Sequence, residues 1–304
     1  MRVTSRDIRI MDDNQFQYEQ AFSRNLGWVT ESEQQILRAK KIAIAGLGGV
    51  GGSHLLTLTR LGVGGFSLAE FDRFELANFN RQAGASLRSM GCSKLETMTQ
   101  MALDINPELH LTGFEQGVSE ENLDDFLQDV DIYVDSLDFF QLPIRSALFT
   151  ACGERGIPAI TAAPLGMGCA FLAFLPSGMS FEAYFGLQGR DEVEQYIRFL
   201  VGLSPAMLQM GYLIEPSRVD FNRRQGPSTP MACELCAGLA ATQALKILLA
   251  RGKVTTAPWG LHFDAYKQRL RKTWRPFGWR NPMQRLLISH AKRQFGSRLA
   301  RSQP

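Results

Sequence analysis

Apolar positions change their period several times along this chain, and each change marks an element. The run "KKIAIAGLGGVGG" (40–52) reads as a short strand ended by glycines. In "GSHLLTLTRLG" (52–62), Leu55, Leu58 and Leu61 recur at helical spacing, and Gly62 is the expected C-cap. "GFSLAEFD" (65–72) is a second strand, and 94–105 a helix that ends before Asn106-Pro107. "DIYVDSLD" (131–138) is a strand, 145–155 a helix, and "IPAITAAP" (157–164) another strand. "GMGCAFLAFLP" (166–176) alternates as a half-buried strand does. Upstream, 16–39 reads as an arm and then a helix, with Thr30 as N-cap and Glu33 completing a capping box. Downstream, 181–230 loses its period, and "ACELCAGLAATQALKILLARG" (232–252) regains it as a helix.

Strands alternating with helices at this spacing imply right-handed parallel β-α-β units. The expected fold is α/β: a doubly wound, mainly parallel, Rossmann-like sheet with an irregular substrate-side segment and a basic C-terminal tail. The expected organisation is an arm and helix (1–39), a nucleotide-binding core (40–177), a crossover segment with its closing helix (178–266) and the tail (267–304).

Composition narrows the class. Of the 304 residues, 45% are hydrophobic and 21% charged, as in an ordinary globular protein. Five scattered cysteines suit a reducing compartment better than a disulfide scaffold. The first twenty residues contain no apolar run of the secretory kind, and 238–250 reads as too short and interrupted to span a bilayer. A cytoplasmic location is the expectation.

Net charge changes the picture further. From Lys267 to Pro304 there are 11 Lys/Arg and no Asp/Glu, so the other 266 residues hold 22 basic against 30 acidic side chains, a net of −8. After Pro282, Met283, Leu287, Ala291 and Phe295 follow i, i+4 spacing, with Leu286 and Leu299 nearby and Arg285, Lys292, Arg293 and Arg298 around them. Trp274 and Trp279 precede this basic amphipathic helix. It suits RNA phosphates, an anionic membrane surface that would hold the protein peripherally, or an acidic protein. It equally suits packing on the acidic body.

The candidate chemistry starts with "GLGGVG". Gly46, Gly48 and Gly51, with Gly49 between, form G-x-G-x-x-G after a strand and at the opening of a helix. That context favours phosphate at the helix N-terminus. Glu70, 24 residues after Gly46, ends the second strand and is placed to accept from ribose hydroxyls. NAD, FAD and ATP all remain open at this point. "NFNRQ" adds Asn78, Asn80, Arg81 and Gln82, donors that suit β- and γ-phosphates. Lys94 opens the next helix and offers a point charge to the α-phosphate. Asp138 of "DSLD" can hold Mg²⁺ through one carboxylate. Each has a plainer role available: loop satisfaction for the amides, a solvated lysine, a helix cap. An NAD(P)- or FAD-binding oxidoreductase needs none of the three charges, and a non-catalytic carrier- or membrane-binding module needs no turnover.

In order, "GLGGVG", "EFD" (with Asp72), "NFNRQ", "GCSK", "INP" and "DSLD" resemble the run that marks the ThiF/MoeB/ubiquitin-activating-enzyme family. The resemblance covers 41–176, and Glu70 stands where the family has aspartate. It implies an ATP- and Mg²⁺-dependent adenylyltransferase acting on a carboxylate: the C-terminus of a small carrier protein or peptide, or a modified tRNA base. It also implies a homodimer in which Arg24 reaches the partner's phosphates. Some relatives use a catalytic cysteine or a structural zinc. Cys233 and Cys236 form "CELC" at a helix start, where a thiol pKa falls, but one C-x-x-C without a second pair makes zinc an unfavoured expectation. Cys169 reads as core, and Cys92 as lining the nucleotide site without reacting.

Overall fold

The computed structural model describes residues 16–219 and 226–299, with the side chains of the last helix described to residue 293. The arm carries α1 (Tyr18–Ala21) and α2 (Glu31–Arg38), and the Thr30–Glu33 capping box forms as expected. Then come β1 (Lys41–Ala45), α3 (Gly51–Arg60), β2 (Gly65–Ala69), α4 (Lys94–Leu103), β3 (His110–Phe114) and α5 (Leu123–Phe126). They are followed by β4 (Ile132–Asp135), α6 (Leu142–Glu154), β5 (Ala159–Leu165), β6 (Gly168–Phe174), α7 (Phe181–Phe185) and α8 (Glu192–Leu203). The chain closes with α9 (Pro230–Leu248), β7 (Trp259–Asp264), β8 (Arg269–Trp274) and α10 (Pro282–Leu299).

All eight strands share one sheet, ordered β3-β2-β1-β4-β5-β6-β7-β8. The first five run parallel, and β6, β7 and β8 are added antiparallel. Strand order reverses direction between β1 and β4, so the loops leaving those two strands open a crevice at the carboxyl edge, where doubly wound sheets bind ligands. One face is covered by α3, α4 and α9 through Leu55, Leu58, Met98, Ala240 and Ala244. The other is covered by α5 to α8 through Phe126, Leu148, Phe149, Phe181, Phe185 and Phe199. With both faces covered, β1, β2 and β4 can be continuous apolar runs.

Several features depart from the expectations or sharpen them. The sheet runs past both expected boundaries, 177/178 and 266/267: β6 pairs with β7, and 266/267 falls in the β7–β8 turn, so the basic tail begins as a strand. The period-less stretch after Phe181 builds a second core. Phe149 stacks on Phe181 at 4.5 Å, and Phe174, Phe185 and Phe199 close around them. Each such ring, once buried, contributes roughly 1.5–3 kcal/mol. Finally, α9 starts two residues before the expected 232, and the stretch 238–250 read as too short to span a bilayer is part of a longer helix. At 19 residues it is long and apolar enough to cross a membrane by length and composition. In the fold it packs as a core helix against α3, β5 and β6.

The amphipathic stripe of α10 is also rotated from the expected one. Met283 and Leu286 are exposed, while Gln284, Ile288 and Ala291 are buried and Leu287 half-buried. Ile288 and Ala291 pack on Ile197 and Val201 of α8, and Lys292 pairs with Glu194 at 2.6 Å. The apolar side of the helix is thus spent on the body of the protein. Phe295, Arg298 and Leu299 lie outside the described side chains. Trp274 stacks on Trp259 at 5.7 Å, and Trp279 lies under the guanidiniums of Arg190, Arg198 and Arg280.

Candidate active site

The glycine loop is shaped by close backbone approaches that no side chain would permit. Gly46 has φ +86°, and a Cβ there would stand 2.6 Å from the Ser136 carbonyl oxygen. A Cβ on Gly51 would overlap the Gly46 carbonyl oxygen. The β1 and β4 loops therefore touch directly, with Ser136 facing the turn that starts α3.

Glu70 is buried and pins this turn. Its Oε2 accepts the Leu47 amide at 2.8 Å, and Oε1 accepts those of Phe71 and Asp72 at 2.9 and 3.0 Å. The residue expected to receive ribose hydroxyls is thus also the brace of the loop. Asp72 turns outward and accepts from Lys94 Nζ at 2.9 Å. Lys94 itself is 5% exposed, so the expected free ammonium is a buried one held by Asp72 at the start of α4.

"NFNRQ" divides its work. Asn78 Oδ1 accepts the Glu75 amide and closes a 3₁₀ turn, which is the loop-satisfying role. Asn80 donates to the Ser228 carbonyl at 3.0 Å and accepts from Arg81, tying this loop to the segment before α9. Arg81 lies along the glycine loop, its Nε 3.6 Å from where a Gly49 Cβ would be. Gln82 is buried, its Nε2 3.7 Å from the Gly48 Cβ position. Gln82 Oε1 and Ser136 Oγ are both buried without a partner among the described residues, at the same turn. The Ser136 hydroxyl can donate to a phosphate oxygen, and so the turn fits a bound nucleotide.

Asp138 is exposed past β4. Its Oδ1 accepts the Phe140 amide at 3.0 Å, and its other oxygen has no partner among the described residues. No cluster of three or more His, Cys, Asp or Glu suited to a metal occurs among the described residues. A magnesium shared with phosphates asks only one carboxylate of the protein, so the donor set fits that ion. Arg24 is not brought to this site by its own chain. Its neighbour Asn25 donates to the carbonyls of Arg60 and Leu61, at the far end of α3 from Gly51.

The cysteine expectation is corrected. Cys233 lies under the loop, its Sγ 3.4 Å from the Gly49 Cβ position, but burial pushes its thiol pKa up rather than down. Burial and the neighbouring Cys169 raise Cys236 still further. Desolvation overrides the helix terminus, and neither thiol is an activated nucleophile. Cys169 is core, and Cys92 is exposed on the turn before α4. Cavities of about 630 and 380 Å³ lie elsewhere, beside α1 and α2; the larger reaches Gly64 and His110 at the amino edge of the sheet. The larger is lined by Arg38, already satisfied by Glu19, Glu108 and the Tyr18 ring, and carries none of the loop chemistry.

Two positions at this edge escape sequence reasoning. Ser136 carries no signal beyond its place in "DSLD". Arg145 does: a single cation within the apolar run "LPIRSALF" demands a buried partner, and it finds Asp135 at 2.9 Å.

Comparison with known proteins gives the family and the fold. A profile described as the ThiF family matches residues 22–284. The rat ubiquitin-like modifier-activating enzyme 5 is 28% identical over 84% of this chain and 60% of its own length. The Escherichia coli sulfur carrier protein ThiS adenylyltransferase is 31% identical over 47% of this chain and 56% of its own. The chain thus spans little more than half of these relatives. Among solved structures, E. coli MccB with ATP superposes with a TM-score of 0.62 at 19% identity, over 84% of this chain and 70% of that one. It shares the fold.

Proposed function

This chain belongs to the ThiF family, and from that premise we propose that it binds ATP at the β1–α3 turn and adenylylates a carboxylate. The observation that carries this is Arg81, a guanidinium laid along a glycine turn at a helix N-terminus, beside a buried Ser136 hydroxyl with no partner among the described residues. A hydride-transferring enzyme does not need the set of Arg81, Lys94 and Asp138 together. A carboxylate oxygen forms a bond to the α-phosphorus, the bond to the bridging oxygen breaks, and pyrophosphate leaves with the electron pair. The acid is already ionised at neutral pH, so no general base is needed. Catalysis is positioning and charge stabilisation. Arg81 takes the outer phosphates, Lys94 the α-phosphate, and Glu70 keeps the turn in shape and meets the ribose. Asp138 would hold magnesium, which supplies charge neutralisation to the phosphates. Homodimerisation would bring Arg24 from a second copy, consistent with its remoteness in its own chain.

The acceptor is the C-terminal carboxylate of a small carrier protein or peptide. A modified tRNA base is the second reading, favoured by the exposed cations Arg269, Arg271 and Lys272 of β8 beside the Trp259–Trp274 pair. Exchange of labelled pyrophosphate into ATP, dependent on the added carboxylate, tests the reaction. Titration with ATP–Mg²⁺ against NADH tests the ligand. Absence of exchange with every acceptor class, together with absence of ATP binding, would reject the proposal.

A further inference from the structure

Arg145 is 3% exposed and each of its three guanidinium nitrogens donates a hydrogen bond. Nε donates to Asp135 Oδ2 at 2.9 Å, Nη2 to the Leu137 carbonyl at 2.5 Å and Nη1 to the Phe139 carbonyl at 3.3 Å. Those two carbonyls belong to the residues immediately before and after Asp138. One planar fork therefore grips the chain on both sides of the carboxylate assigned to the metal. Asp135 balances the charge and is itself held, its Oδ1 accepting from the Tyr133 hydroxyl at 3.1 Å.

One face of the fork meets α8. The Arg145 guanidinium lies 4.7 Å from the Phe199 ring centroid, on α8. Phe139 packs on Phe199 and Tyr196 at 5.3 and 6.0 Å, and Phe140 on Tyr196 at 5.1 Å. The Asp138 loop is thus clamped between a β4–α6 ion pair and a helix from the acceptor-side segment. Stability alone gives little reason for this arrangement, since a buried ion pair is often no better than apolar residues of the same volume. What an apolar residue cannot do is fix two carbonyls at set angles, and lysine lacks the planar fork needed for it.

We propose that Arg145 is a positioning residue that acts through Asp138, setting the carboxylate for the metal and linking its loop to α8. The proposal rests on the ATP–magnesium reading above. The direct readout is Mn²⁺ binding, followed by electron paramagnetic resonance, to protein saturated with α,β-methylene-ATP. Three forms are compared: wild type, Arg145→Lys and Phe199→Leu, the last leaving the buried ion pair intact. Binding of the analogue without metal is measured in parallel. Expected is a loss of Mn²⁺ affinity of about tenfold in Arg145→Lys and a smaller loss in Phe199→Leu. Metal-free analogue binding should stay within about twofold in both, since only the metal-holding carboxylate moves. Combining Arg145→Lys with Asp138→Asn should add nothing to the loss from Asp138→Asn alone. Unchanged Mn²⁺ affinity in both single variants overturns the proposal. So does an equal loss of metal-free analogue binding, which marks a merely structural role. A wild type that binds neither analogue nor Mn²⁺ removes the functional reading and this proposal with it.

Discussion

The two halves of the sheet spend their residues differently. In the parallel half, β3-β2-β1-β4-β5, the strands end at one edge, and their loops bring Gly46, Glu70, Arg81 and Ser136 together there. In the antiparallel half, β6-β7-β8, successive strands end at opposite edges, so no edge collects loops in that way. That half instead buries rings: Phe174, Phe181, Tyr184, Phe185 and Phe199 make one aromatic cluster under α7 and α8. Parallel pairing concentrates polar chemistry because every strand points the same way; antiparallel pairing gives shape, and here it carries the acceptor-side helix. Arg145 bridges the two, with its ion pair in one half and its ring contact in the other.

The largest way to break this contrast is Gly51→Ala. The added methyl overlaps the Gly46 carbonyl oxygen, so the turn must open. ATP binding by calorimetry should fall about 100-fold or more, and the melting temperature should fall as well because the clash is with backbone. A variant that binds ATP normally would mean the turn does not form the site. Next is Phe181→Ala, expected to cost about 3–5 kcal/mol in chemical denaturation while the remaining folded protein keeps its ATP affinity. Equal losses in stability and nucleotide affinity would show that the halves do not work separately.

The smallest effect concerns His54, which lies on α3 just after the glycine turn, fully buried, with both ring nitrogens unpartnered among the described residues. Burial pushes its pKa down to about 3. The unfolded chain takes up that proton near pH 6.5, so between pH 6.5 and 3 the unfolded state binds more protons and stability falls as pH falls. The share owed to His54 is about 2 kcal/mol by pH 5. His54→Leu should flatten the fall of melting temperature with acid in that window and leave it unchanged above pH 7. An unaltered slope would place the acid sensitivity elsewhere.

Legibility follows the same division. The strands that read clearly, β1, β2, β4, β5 and β6, are buried, and continuous burial demands apolar runs. The edge strands β3 and β8 are largely exposed, so "HLTGF" and "RLRKTW" carry no alternation to read. The C-x-x-C pair misled because a helix start argues for a low thiol pKa, and only the packing of α9 on the sheet reveals the desolvation that reverses it. The stripe on α10 misled because several faces of that helix carry apolar residues, and the position of α8 chose among them.

By itself the sequence determined the order of elements in the parallel core, the glycine turn and the residues gathered around it, because each is local: a few neighbouring positions that need particular backbone angles or side chains. Only the tertiary structure decided which of those groups remain available to a ligand. Asn78 is spent on a turn, Lys94 is paired with Asp72, and Glu70 braces the loop. It also decided that the last strands extend the sheet and that Arg145 grips the Asp138 loop. Partners distant in sequence are set by burial and packing, which act on the whole chain at once.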